Sequence, residues 1–575
     1  MTDAVLGRTP SSVVVEADVE ILARDGTVLR ADVYRPADGR HPVLLGRTPY
    51  GKRTWAAWMD PVRTASEGFV VVVNDLRGHH GSDGTIDPFR TDVPDGYDVV
   101  EWCGAQPWSN GRVVMFGSSA GGFVQLQAAI AHPPSLAAIA PMQTWSSFGR
   151  GCCYDPGGAF SLYTREWTLL IAGLDPARRM RATDPGFAER HARAARAQWE
   201  IERWNGHRPL SSFPPVADGL APYLPAWLDH PDHDDWWADR DTAPGLPDVK
   251  VPALHIVGWF DRFCRTTLEN HRLLGSSEQR LIIGPWPHGV PVITSSGDQH
   301  YGPAASVDAR RLVLDWAERF ARDGGAAAGI AAEDAPRVRL WVLGAETWRD
   351  EPAWPLARAR DQTWYLRSGG RANTREGDGM LTGEAPPLDE PADTYVHDPS
   401  DPVPSVPGRA MRHLGSVDQG PIEDRADVLC YSSDPLDRAV EVTGHVKARL
   451  YAASTAPDTD WVVKLVDVHP DGHVFRLVDG MIRARYRDSQ ASPRLLEPGR
   501  AYAYDIDVGP ISNLFRAGHR IRIEVASASF SEYDPNLNTG GVAADEMTGV
   551  PATQRILHDA EHASHIVLPV VPSAS

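Results

Sequence analysis

Ser119 lies in Gly117-Ser118-Ser119-Ala120-Gly121, directly after the apolar run RVVMF and before the helix-like run GGFVQLQAAIA. This is the G-x-S-x-G pattern in the setting that its chemistry requires: strand, sharp turn, helix. Small residues let the chain turn tightly and hold the serine hydroxyl out on a strained loop. The N-terminus of the helix that follows can present a backbone N–H to a developing oxyanion. A Gly/Ser turn without chemistry has the same letters, and the pattern alone is common by chance. The flanking strand and helix are what favour a nucleophile.

A serine hydroxyl is a weak nucleophile at neutral pH, so it needs a base, and the base needs an orienting acid. On an α/β-hydrolase sheet these follow the serine in the order acid, then histidine. The next two strand ends supply them: ALHIVGWFD delivers Asp261 and RLIIGPWPHG delivers His288. Asp75, His79 and His80 compete but precede the serine. His255 lies inside a strand, where a core histidine is the simpler expectation.

The elements that must hold these residues alternate strand and helix signals. Val13 to Leu22 and Val28 to Tyr34 flank Asp25-Gly26, a hairpin signal. Val43 to Leu45, Phe69 to Val73, Val113 to Phe116, Leu136 to Ile139, Ala253 to Val257 and Leu281 to Ile283 are almost wholly apolar. Such runs suit strands covered on both faces, hence a parallel sheet between helices. A helix is expected over Val307 to Arg322. The pattern is interrupted over 146–244 by helix-like segments, such as Phe187 to Trp204, and Pro-rich joints. An insertion there predicts a helical cap over the edge where open α/β sheets bind ligands.

Beyond about residue 356 period-two alternation takes over. Val442, Gly444, Val446, Ala448 and Leu450 share one face, and Ile521, Ile523 and Val525 another. Turn signals and the absence of long helices predict an all-β sandwich or jelly roll. The expected division is therefore 1–145 and 245–355 for the two parts of an α/β-hydrolase domain, 146–244 for the cap and 356–575 for the jelly roll.

Composition bounds the function. The chain has 575 residues, 42% hydrophobic and 23% charged, with 57 Lys+Arg against 76 Asp+Glu and a formal charge of −19. That acidity, without a basic run, disfavours nucleic acid and anionic membrane as partners. No apolar span approaches twenty residues, so no membrane segment is expected. Five scattered cysteines without a CxxC exclude a disulfide framework and point to a reducing compartment. With no secretory signal visible in MTDAVLGRTPSS, the cytoplasm is the expected location.

The motifs RTPYGKR, NDLRGHHGSDG, MFGSSAGG, GWFDRF and IIGPWPHG are recognisable together. So are DRADVLCYSSDPL, VEVTGHVKARLY, DTDWVVKLVDVHPDG and NLNTGG in the last third. The chain resembles the cocaine-esterase-like branch of the X-Pro dipeptidyl-peptidase family of serine hydrolases over nearly its whole length. The resemblance implies an α/β-hydrolase domain, a helical cap and a C-terminal jelly roll. It implies Ser119 as nucleophile, His288 as base, Asp261 as orienter, and no cofactor. It also implies that Tyr50, in RTPY, is an oxyanion donor beside the Ala120 N–H. Trp167 and Phe263 resemble the family's acyl-pocket aromatics, although ordinary cap core explains Trp167 equally well.

Departures limit the substrate. Arg262 follows the acid where family members often have a small residue, and Ala120 follows the nucleophile where the cocaine-esterase pattern has an aromatic. The loop at Met411-Arg412-His413 is polar. Cocaine is therefore an unsafe assignment, and an acyl ester with a polar or anionic group near Arg262 is open. α-Amino-acid ester hydrolases hold an ammonium with carboxylates just past the catalytic acid; here Phe263 and Cys264 stand there. An X-Pro peptidase would need similar acids, and none is identifiable.

Three further readings carry less. His230 and His233 with Asp232, Asp234 and Asp235 could ligate a metal, but a solvated loop needs fewer assumptions, and no metal is expected. Cys152-Cys153 could be redox-active, yet free cysteine is more often a small buried hydrophobe. A ligand-binding protein built on the jelly roll leaves the Ser/Asp/His set unexplained. The expected activity is cofactor-independent hydrolysis of a small-molecule carboxylic ester, with a homodimer left open by the sheet edges.

Overall fold

The computed structural model describes residues 12–174, 185–217, 219–289, 293–322, 331–406 and 415–572. The expected hairpin forms one edge of a sheet: β1 (Val13–Leu22) pairs antiparallel with β2 (Val28–Pro36), Leu22 opposite Val28. Gly26 at the turn has φ +84°, a conformation that costs glycine little.

The apolar runs then build the middle. Strands β3 (His41–Thr48), β4 (Val70–Asp75), β5 (Ser109–Ser118), β6 (Leu136–Met142), β7 (Ala253–Phe260) and β8 (Gln279–Pro287) are joined by β9 (Val338–Val342) and β10 (Thr347–Glu351). The ten strands lie in the order β1-β2-β4-β3-β5-β6-β7-β8-β9-β10. Every pair from β4 to β9 along that order is parallel. All residues of β4 and β7 are buried, as continuous apolar runs between helix layers must be. The layers include α1 (Asp92–Ala105), α2 (Ala120–Ile130), α3 (Leu162–Leu174), α4 (Phe187–Trp199), α5 (Cys264–Leu273) and α6 (Ala309–Ala321).

This topology puts the chemistry on one edge. Parallel strands all end on the same side, so Thr48, Ser118, Phe260 and Pro287 terminate together. Ser119, Asp261 and His288 each follow a strand by one residue, and Tyr50 by two.

Between β6 and β7 the chain is helical, with α3, α4 and short helices such as Leu224–Asp229. The helix expected from Phe187 to Trp204 stops at Trp199, because Glu200 leaves helical geometry (φ −104°, ψ 30°), and restarts at Glu202.

After β10 an eleven-stranded, largely antiparallel sheet forms the all-β jelly-roll domain. Its long strand Val440–Ser454 buries Val442, Gly444, Val446, Ala448 and Leu450, with exposed Lys447 and Arg449 between them. The alternation at 520–526 behaves differently. Ile521, Ile523 and Val525 are buried, but so are Arg522 and Glu524, because both faces of that strand are covered. Glu524 lies 3.4 Å from the Lys464 ammonium, and Arg522 pairs with Glu423. One apolar core, containing Trp259, Trp341, Val446 and Ile506, runs from the first sheet into the second. Among the described residues, no helix is long and apolar enough to cross a membrane.

Candidate active site

Ser119 stands between the last residue of β5 and the first of α2 with φ 59° and ψ −123°. That left-handed backbone is costly for a residue with a Cβ, and it persists because its surroundings hold it. The Ser119 N–H donates to the Met142 carbonyl at 2.9 Å, and its own carbonyl accepts from the Thr144 hydroxyl at 2.8 Å. Gly121 is required by close approach: a Cβ there would lie 2.4 Å from the Trp55 ring. The Ser119 Oγ is buried and makes no well-formed hydrogen bond, although it lies close enough to the Tyr50 and Tyr163 hydroxyls to act on both.

Asp261 and His288 meet. The Asp261 Oδ2 lies 2.8 Å from His288 Nδ1, while Oδ1 accepts the Phe263 N–H at 2.7 Å. The carboxylate side chain is fully buried and the imidazole is 22% exposed. With Nδ1 committed to the acid, Nε2 is the ring nitrogen not held by it. Catalytic hydrogen bonds are often long before substrate binds, so the unbonded Oγ is compatible with a resting nucleophile.

Tyr50 reaches the same edge. Its hydroxyl accepts the Trp167 indole N–H at 2.9 Å. Burial pushes the phenol up to about 12, partly offset by Trp167 and by the Ser119 hydroxyl. It therefore stays protonated at neutral pH. Ala120, fully buried, opens α2, where backbone N–H groups lack helical partners.

The competitors from the sequence are occupied elsewhere. Asp75 accepts the Lys52 N–H at 2.8 Å and its ammonium at 3.1 Å, which fixes the loop carrying Tyr50. His80 Nε2 lies 3.1 Å from the Pro49 carbonyl on that loop. His79 and His255 are both buried and both pushed down to about 3 by desolvation, so they stay neutral.

The aromatic residues form one continuous wall. Phe263 is fully buried and stands edge-on to His288, 5.3 Å between ring centres at 77°. Trp167 packs against Phe89, Phe148 and Trp227. Arg262 lies behind that wall. Its guanidinium stacks 3.9 Å over the Tyr163 ring, donates to the Ser161 hydroxyl at 2.6 Å and lies 3.5 Å from the Glu532 carboxylate. Met411, Arg412 and His413 lie outside the described residues.

Two residues of the site were not visible in the sequence. Tyr163 lies edge-on to both His288 and Phe263, and burial raises its phenol while the Ser119 hydroxyl acts in the opposite direction. Its only sequence signal was a place four residues before Trp167, one helical turn away. Gln143 is buried and bridges three strand ends. Its Oε1 accepts from the Gly289 N–H at 3.1 Å and the Ser118 hydroxyl at 3.3 Å, and its Nε2 donates to the Pro287 carbonyl at 3.3 Å. A lone glutamine after a strand carries no motif.

The remaining candidates separate cleanly. His230 Nδ1 is bound to Asp234 at 2.7 Å and its ring lies flat on Trp236, while His233 is 3.8 Å from Asp241. Cys152 and Cys153 are free and buried, and desolvation raises both thiols, that of Cys152 to about 12.

Residues 25–290 match the X-Pro dipeptidyl-peptidase (S15) family, and 330–567 match the X-Pro dipeptidyl-peptidase C-terminal non-catalytic domain. Cocaine esterase of Rhodococcus sp. (strain MB1 Bresler) is 39% identical over 97% of this chain and 98% of its own. An aminopeptidase from a marine sediment Thaumarchaeota archaeon superposes with a TM-score of 0.79 at 25% identity, over 100% of this chain and 99% of that one. An α-amino acid ester hydrolase superposes with a TM-score of 0.78 at 22% identity, over 99% and 98%, which extends the likeness in fold. With a serine held on a strained strand-to-helix turn and a relative this similar end to end, the chain belongs to the X-Pro dipeptidyl-peptidase (S15) family, as an ester-cleaving serine hydrolase of its cocaine-esterase-like branch.

Proposed function

We propose that the chain hydrolyses carboxylic esters of small molecules through Ser119, His288 and Asp261 and an acyl-enzyme intermediate. Ser119 Oγ attacks the ester carbonyl while His288 Nε2 takes its proton, and Asp261 holds the imidazole in the tautomer with hydrogen on Nδ1. The tetrahedral oxyanion accepts from the Tyr50 hydroxyl and the Ala120 N–H. His288 then protonates the departing alkoxide, and the same imidazole activates the water that releases the acid. The 2.8 Å Asp261–His288 contact, at the edge where Ser119 is strained and unbonded, carries this reading.

The acyl group is bulky or aromatic in this reading, resting against Trp167 and Phe263, whose ring faces offer stacking and apolar burial. Arg262, expected from its position to contact substrate, is instead stacked on Tyr163 and paired with Glu532, so in this reading it supports the wall and does not touch the acyl group.

The aminopeptidase neighbour motivates the second reading, cleavage of a substrate with a free amine. Glu532 is a buried acid lining the same cavity as Asp261, and it already lies beside Arg262. The test is a panel of p-nitrophenyl acetate, butyrate and benzoate, an amino-acid ester and an X-Pro anilide, each with wild type and Ser119→Ala. Ester turnover and fluorophosphonate labelling, both lost in Ser119→Ala, are expected. Anilide cleavage that depends on a free amine would move the assignment to a peptidase. Failure to label would leave a binding protein.

A further inference from the structure

At the seam between the two sheets, two tight turns of the jelly-roll domain bring imidazoles to one carboxylate. Asp467 lies near the end of the strand Asp460–Val468, and the turn after it is HPDGH, closed by His469 N–H to His473 O at 2.9 Å. His519 ends the neighbouring turn, its N–H bound to the Arg516 carbonyl at 3.1 Å, immediately before the strand Arg520–Ala526. Asp467 sits opposite both Phe475 and Ile521, which places its side chain between those turns.

The side chains converge. The Asp467 Oδ1 is 2.9 Å from His519 Nδ1, its Oδ2 is 3.8 Å from His469 Nε2, and the two rings are 4.4 Å apart. One ligand atom from each residue lies within 4.8 Å of the others. Ligands at about 2.0–2.1 Å around a tetrahedral Zn²⁺ stand about 3.3 Å apart, so the observed separations bracket what an ion would impose. Asp467 and His519 are largely buried, with side-chain exposures of 6% and 11%. A cavity of about 270 Å³ opens beside them, with His300 and Glu346 on its wall, and leaves room for a water or a fourth protein ligand. Arg516 lines the same cavity with its Nε–H bound to the Gly344 carbonyl at 2.8 Å. Its charge opposes a cation and weakens binding relative to an all-anionic site.

We propose that Asp467, His469 and His519 form a binding site for a divalent cation of the zinc class. Two imidazoles and a carboxylate suit Zn²⁺ better than the oxygen-seeking Mg²⁺ or Ca²⁺. The ion would clamp the two turns together against the first sheet, where Phe260, the residue before Asp261, lines the same cavity. Its role is to brace the seam, and no catalytic step passes through it. This departs from the expectation of no metal, which weighed only the His230 and His233 group.

The experiment uses the full chain, stripped with a chelator and titrated with ZnCl₂ by calorimetry, with bound metal counted by mass spectrometry after dialysis. Wild type is expected to take one equivalent and to melt at a higher temperature with zinc than without. His469→Ala is expected to lose that equivalent and the zinc-dependent rise, while His230→Ala keeps both. Because His519→Ala also removes the partner of Asp467, His469→Ala is the deciding variant. A second readout is Co²⁺, whose visible absorption on binding should be seen in wild type and not in His469→Ala. No zinc retained by wild type, or the same equivalent retained by His469→Ala, overturns the proposal.

Discussion

The Trp167 indole N–H donates to the Tyr50 hydroxyl across 2.9 Å, joining the inserted helical segment to the loop after β3. The phenol oxygen thus accepts from Trp167, and the Ser119 hydroxyl also lies near it. In the proposed mechanism Trp167 thereby positions the oxyanion donor as well as forming part of the aromatic wall. Tyr50→Phe should lower kcat by about 10²–10³, the usual loss for one oxyanion donor. Trp167→Phe keeps a ring but loses the N–H, and should lower kcat by about 3- to 10-fold, from a hydrogen bond worth roughly 0.5–1.5 kcal/mol. The double variant should be no slower than Tyr50→Phe alone. Independent, multiplying losses in steady-state kinetics would remove the coupling.

Asp261→Asn should preserve the fold and drop kcat by about 10⁴, because the amide no longer selects the His288 tautomer with hydrogen on Nδ1. Ser119→Ala should abolish turnover. Circular dichroism and melting curves matching wild type, alongside single-turnover kinetics, separate lost chemistry from lost structure.

Gln143→Leu removes the side chain that bridges Ser118, Pro287 and Gly289. It leaves the half-buried Gly289 N–H and the buried Pro287 carbonyl short of a partner, at a cost of about 1–3 kcal/mol, most of it for the carbonyl. The expected result is a lower Tm together with a lower kcat at nearly constant KM, since the strand ends bearing Ser119 and His288 are freed relative to each other. An unchanged kcat at a lowered Tm would make Gln143 purely structural.

Glu423 and Glu524 share a buried site in the jelly-roll domain with Arg522 and Lys464. Burial, then repulsion from Glu524, raises the Glu423 carboxyl well above its ordinary value of 4.5. A carboxyl raised on folding binds its proton more tightly in the native state, so it favours the fold at low pH. That contribution is lost as pH rises from the unfolded value through the folded one. Glu423→Gln should therefore flatten the fall in Tm across that window. Melting curves from pH 4.5 to 8 that keep the wild-type slope would count against it.

The placing of Ser119, Asp261 and His288 one residue past strand ends was legible because it rests on local rules. A G-x-S-x-G between an apolar strand and a helix carries its own geometry, and an acid and a histidine one residue past later strands follow from parallel topology. Long both-face apolar runs and period-two alternation separated the two sheets for the same reason, since burial on two faces or one is written directly into residue spacing. Tyr50 needed the family resemblance, because a tyrosine after a strand has no local signature.

Other relationships arise only when distant segments meet. Gln143 matters through contacts to residues 25 to 146 positions away, and Tyr163 through the approach of α3 to the ends of β7 and β8. Arg262 looked from its position like a residue facing substrate, yet stacking on Tyr163 and pairing with Glu532 of the jelly-roll domain turn it behind the aromatic wall. His469 and His519, fifty residues apart in sequence, meet at Asp467 because antiparallel strands pair there. Periodicity and motif spacing encode what each segment needs from its immediate neighbours. Which side chains then face one another across a cavity depends on how whole layers pack, a cooperative outcome of total buried surface that no single stretch of residues contains.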